Sequence, residues 1–193
     1  MWTSAKKLQA TDPRLRREFC SIVNAILRMD LKEPVQHVVP FARAVNQLCI
    51  IRGVRDAGTL RFPPGGVLWR GSSLPNQHKA FFEVGAKYRV PGFLASSLKQ
   101  EVTYRFIYEA YDQGLPAVSW RIELDPRGEA DMRFRCKHVN YVSNSHFGDD
   151  EAEFLFAPYS VFEVIGTEWS IKPDDDNPHK ITLRLSWNML SSL

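Results

Sequence analysis

A chain of 193 residues, 44% apolar and 24% charged, is the size of one ordinary globular domain and is long enough to bury a core of its own. Its 12 Phe, 5 Trp and 6 Tyr exclude a disordered chain. A net charge of +3, with Lys and Arg interleaved among acids, leaves no basic stripe for nucleic acid.

Asp12 before Pro13 reads as an N-cap and first-turn pair, after which Leu15, Phe19, Ile22, Val23, Ile26 and Leu27 recur at helical spacing. A second helix is expected to begin near Pro40, bury Phe41, Ala42, Val45, Leu48 and Cys49, and end at Gly53. Residues 1–60 are therefore the helical part, and 65–190 are expected to form a sheet core. The breaker cluster Pro63-Pro64-Gly65-Gly66 opens it, and Val67–Gly71 follows as a buried strand carrying one charge. Val90–Leu94 leads to Ser96 and Ser97, and a helix with Val102, Phe106 and Ala110 inward runs to Gly114. Ser97 and Gln100 have capping-box spacing at its start. Val118–Leu124 and Ile181–Trp187 alternate as half-buried strands. Phe154–Phe156 and Val161–Trp169 are further strands separated by a turn at Pro158, and Lys172–His179 is an Asp- and Pro-rich loop. Helices first and strands later make an α+β fold with a largely antiparallel sheet.

The N-terminal MWTSAKKLQATDPRLRR has no unbroken apolar stretch, and nowhere do about 18 apolar residues run together, so no signal peptide, membrane span or membrane partner is expected. Cys20, Cys49 and Cys136 are odd in number and lack CxxC spacing, which argues against a disulfide framework and a zinc knuckle and suits a reducing compartment. An intracellular protein is expected, either cytoplasmic or an effector delivered into a host cytosol. Asp174-Asp175-Asp176-Asn177 lacks the Gly and distal Glu of a calcium loop and reads as a turn, so no metal is expected.

Three segments place polar residues where burial is otherwise expensive: Leu68-Trp69-Arg70-Gly71, Phe93-Leu94-Ala95-Ser96-Ser97-Leu98, and Asp150-Glu151-Ala152-Glu153-Phe154 running on through Pro158-Tyr159 to Val161-Phe162-Glu163-Val164. In this order they resemble the Arg, Ser and Glu motifs of the cholera-toxin-like, ExE-type mono-ADP-ribosyltransferases. The resemblance covers roughly residues 65 to 170, with His138-Val139-Asn140-Tyr141 as the strand ahead of the catalytic loop. It implies that family's fold, with N-terminal helices followed by two antiparallel sheets around a cleft that binds bent NAD. It also implies an activity: transfer of ADP-ribose from NAD, consumed as substrate, to a protein arginine, with release of nicotinamide.

By the resemblance, Arg70, with Gly71 beside it, anchors NAD, since a planar guanidinium can make two charge-assisted hydrogen bonds to a pyrophosphate or ribose. Ser96 and Ser97 line the ribose, and Glu153 faces the oxocarbenium-like species that forms as nicotinamide leaves. Glu151 engages the acceptor guanidinium, whose pKa above about 12 calls for positioning. If the segment is extended, Glu151 and Glu153 point to one side about 7 Å apart. Asn144–Asp149 becomes the substrate-recognition loop, with Phe147 touching the target protein. The departure from the family is at Ala95, where the serine motif usually begins with a hydroxyl. Two other activities share these residues: an NAD glycohydrolase, in which water replaces arginine, and a binding module that keeps the fold without turnover.

Overall fold

The structure is a computed structural model and describes residues 18–30, 32–49, 64–128, 130, 139–141 and 152–186. Helix α1 (Phe19–Met29) buries Val23 and Leu27, as the spacing requires, and closes on Asp30 in a left-handed conformation (φ 47°) whose N–H donates to the Ile26 carbonyl. Asp12 and Pro13 lie outside the described residues. Helix α2 spans Lys32–Cys49, so Pro40 sits inside it and does not begin it. The helix tolerates the proline because Pro40 and Gln36 share the exposed face, where water can satisfy the carbonyl that loses its donor. The inward stripe is Val35, Val38, Ala42 and Val45, and with Val23, Leu27, Phe93 and Leu155 it forms one of two apolar clusters among the described residues.

Among the described residues eight strands follow: β1 (Val67–Ser73), β2 (Lys87–Val90), β3 (Leu94–Ser97), β4 (Ala117–Glu123), β5 (Val139–Tyr141), β6 (Glu153–Phe156), β7 (Ser160–Glu168) and β8 (His179–Leu185). They form one sheet in the order β2-β7-β8-β4-β1-β3-β6-β5. All neighbours are antiparallel except β4 and β8, which run parallel from Val118↔His179 to Glu123↔Arg184. The two sheets anticipated from the sequence are thus joined. Their junction is a single pair, Trp69↔Ser97, between β1 and β3, whereas β1 and β4 are paired along seven residues from Val67↔Glu123 to Ser73↔Ala117. The second apolar cluster, with Leu68, Ile122, Phe154, Phe156, Phe162, Val164 and Leu183 at its centre, draws residues from both halves and holds them together.

Helix α3 (Glu101–Asp112) packs across β1 and β4 through Thr103, Ile107 and Ala110, one residue out of phase with the Val102/Phe106 face the sequence suggested. Gly71 decides this. A Cβ there would lie 2.3 Å from the Thr103 carbonyl oxygen and 3.0 Å from Phe106 Cβ, so only glycine lets the helix backbone come down onto β1. Gly71→Ala is therefore expected to destabilise the fold by about 1–3 kcal/mol or more, because backbone has to move; chemical denaturation would read this as a lower midpoint with an unchanged slope. The capping box does not form: Ser97 ends β3 and its Oγ accepts from Lys99 N–H at 3.0 Å, while Gln100 is the N-cap and makes no side-chain cap bond.

His179 opens β8 fully buried. Its Nδ1 accepts from Ser170 N–H at 3.0 Å, and its ring meets Trp169 edge to face at 5.2 Å. Burial, and then the charge of Lys79, hold its pKa below the usual histidine value. The neutral form is the native one, so its stabilising contribution is complete above about pH 6.5 and is lost as pH falls through that value toward the depressed folded pKa. Unfolding midpoints in urea should drop below pH 6.5, and His179→Phe should be weaker at pH 7.5 yet flatter across this range. The loop before His179 is the expected turn, with Asp174 Oδ1 accepting from Asn177 N–H at 2.8 Å.

Candidate active site

Arg70, Ser97 and Glu153 come together where the two halves of the sheet meet. Beyond Trp69↔Ser97 the ladder between β1 and β3 stops, and Arg70 Nη1 donates instead to the Ala95 carbonyl at 2.6 Å. The guanidinium thereby supplies the bond that strand pairing does not. It carries five donors, more than that one carbonyl can use. Desolvation, then the charge of Arg28, lower its pKa to about 10, while Glu153 acts in the opposite direction. It remains a cation at neutral pH.

Glu153 lies directly opposite Ser97 in the β3–β6 ladder, and Leu155 lies opposite Ala95. Cross-strand partners share a face, so Ser97 and Glu153 project on the side where Ala95 and Leu155 pack against α1. Ser96 points the other way: it lies opposite the buried Phe154, and its Oγ donates to the Phe154 carbonyl at 2.9 Å. Of the two serines, Ser97 stands beside Glu153, and Ser96 is satisfied within the core. Gly71 is packed against α3, on the opposite side of β1 from Arg70, whose long side chain reaches Ala95 through the gap where the ladder has stopped.

The extended path expected through Glu151-Ala152-Glu153 ends at Ala152, whose φ of 41° is left-handed. The extended path on which the same-side spacing of the two glutamates is conditional is therefore not present at Ala152. The Ala152 carbonyl accepts from Leu98 N–H at 3.1 Å, which ties the turn ahead of Glu153 to the end of β3. Glu151, His138 and the loop 144–149 with Phe147 lie outside the described residues.

Helix α1 also contributes to the site. Cys20, Asn24 and Arg28 recur every four residues and so form one stripe. Burial, with the Glu18 and Glu153 carboxylates, pushes the Cys20 thiol pKa up, and the charge of Arg28 is felt by Arg70. Both ends of the stripe are thus electrostatically coupled to the junction. The available signal was the polar i, i+4, i+8 pattern beside the apolar face, which reads as ordinary amphipathicity. Two cations and a carboxylate at one junction can hold a dianionic ligand and face a developing positive charge. Among the described residues no cluster of three metal-ligating side chains occurs.

No protein-family model matches the chain, and no curated protein does. Solved structures do. Vis toxin, an ADP-ribosyltransferase from Vibrio splendidus, superposes with a TM-score of 0.57 at 19% identity over 90% of this chain and 69% of that one. Vis in complex with agmatine matches over 99% of this chain and 81% of that one, at 17% identity and a TM-score of 0.57. Exoenzyme S from Pseudomonas aeruginosa, bound to carba-NAD and in complex with human 14-3-3 protein beta, gives a TM-score of 0.54 at 14% identity, covering 90% of this chain and 70% of that one. The Clostridium limosum C3 exoenzyme gives 0.55 at 14% identity, covering 87% and 80%. The chain has the ADP-ribosyltransferase fold.

Proposed function

We propose that this chain binds NAD across the β1–β3 junction and transfers its ADP-ribose to an arginine of a protein substrate. The observation that carries the reading is the meeting of Arg70 and Glu153, each within the other's field, at the single Trp69↔Ser97 pair. Fold alone would not license an activity. Exoenzyme S holding carba-NAD and Vis holding agmatine, a guanidine-bearing amine, support the donor and the acceptor chemistry respectively.

In this mechanism Arg70, with Arg28 from α1, holds the pyrophosphate, and Ser97 lines the ribose. The glycosidic C1′–N bond breaks and nicotinamide departs with the electron pair. Glu153 hydrogen-bonds the ribose and stabilises the oxocarbenium-like charge left on it. A guanidine nitrogen of the acceptor then attacks C1′ and gives up one proton, which Glu151 receives. The acceptor protein docks through the loop 144–149 with Phe147. In the absence of an acceptor, water takes its place, so the glycohydrolase reaction is a slower branch of the same chemistry.

The test is incubation of the purified protein with labelled NAD and agmatine. Label on agmatine together with stoichiometric nicotinamide is the expected result. Nicotinamide release that agmatine neither accelerates nor diverts would reassign the chain to NAD hydrolysis, and no NAD consumption at all would leave a binding module.

A further inference from the structure

A polar clasp ties helix α1 to the sheet. Asn24 Oδ1 accepts from Phe93 N–H at 2.8 Å, in the link between β2 and β3. The neighbouring Gly92 leaves the space for it: a Cβ there would lie 2.7 Å from Asn24 Oδ1 and 3.3 Å from its Cγ. One turn further on, Arg28 Nε donates to the Asn24 carbonyl at 3.1 Å, so the residue that grips the sheet also carries Arg28. The ring of Phe93 is buried with Val23 and Leu27, and from Phe93 the chain runs directly into Ala95, whose carbonyl holds Arg70.

The geometry points to Asn24 as a positioning residue: by clasping Phe93 N–H over Gly92, it sets the height of α1 above β3 and with it the spacing of Arg28 from Arg70. It touches neither the proposed donor nor the acceptor. Apolar packing alone would let α1 slide, since such contacts are non-directional, whereas one hydrogen bond into a space open only at glycine fixes a single register. The kinetic part of this inference rests on the NAD reading above; the geometric part does not.

The experiment uses Asn24→Ala, Gly92→Ala and the double variant, with two readouts. The first is nicotinamide release against NAD concentration. Asn24→Ala should raise KM for NAD roughly tenfold, the effect of one lost hydrogen bond, with kcat within about twofold because Glu153 is not moved. The second is iodoacetamide alkylation of Cys20, read by peptide mass, which should quicken at least about threefold once α1 lifts. Gly92→Ala should do the same in the parent chain and add little to Asn24→Ala, because the clash is with the asparagine side chain. Unchanged KM and alkylation in Asn24→Ala, a fall in kcat at constant KM, or an equal cost of Gly92→Ala in both backgrounds would each overturn the positioning role. If the parent chain consumes no NAD, the functional reading falls, and Cys20 alkylation across the same four proteins still decides the clasp.

Discussion

Glu153→Gln is expected to cut nicotinamide release by about 10²–10³-fold with little change in NAD affinity or thermal stability. The amide preserves the shape of the carboxylate opposite Ser97 but removes the negative charge that would face the oxocarbenium, a transition-state interaction. Half-buried at the start of β6, the side chain is no part of the core, so the variant should fold. Glu151→Gln should separate the two halves of the chemistry: transfer to agmatine is lost while part of the NAD hydrolysis survives. Equal loss of both activities in both variants would mean that the glutamates do not divide the task as assigned. A Glu153→Gln protein that keeps more than about a tenth of parental turnover would remove this residue from the centre of the mechanism.

Arg70→Ala has the second large effect, on stability as well as on NAD. Truncation removes the donor to the Ala95 carbonyl at the point where strand pairing has already stopped, and an unpaired carbonyl there costs about 1–3 kcal/mol. Arg70→Lys should separate the two roles. A lysine ammonium can still donate to Ala95 but cannot grip a phosphate with two parallel bonds, so the unfolding midpoint should recover while KM for NAD stays at least about tenfold raised. Burial, and then repulsion by Arg28, lower the Arg70 pKa, so an anion between the two cations relieves that repulsion. Inorganic pyrophosphate should raise the melting temperature of the parent chain, and much less that of Arg70→Ala, by binding only the folded state. If Arg70→Lys restores NAD binding in full, a bidentate contact is not what the site uses.

Sequence alone determined much of the local structure that carries the candidate residues. The helical spacing of Val23 and Leu27, the alternation of β4 and β8, the turn at Pro158 and the strand at Phe154–Phe156 are local properties, set by side-chain periodicity and backbone preference over a few residues. Arg70, Ser96, Ser97 and Glu153 stood out as candidates because a charged or polar group entering an apolar strand is costly and therefore conspicuous, and the family resemblance suggested their roles. What depended on distant partners was not legible. The length of α2 through Pro40 depends on which face of the helix meets water. The inward face of α3 depends on Gly71, thirty-two residues before Thr103. Ser96 and Ser97 are equivalent as letters, but one bonds Phe154 in the core and the other faces Glu153, because β3 is clamped between β1 and β6. The merging of two expected sheets into one, with Arg70 closing the gap at Ala95, follows from a strand register that no local signal encodes. The addition of Asn24 and Arg28 from α1 is likewise a matter of docking. Each of these features is a contact between segments far apart in the chain, and only the packed fold brings such segments together.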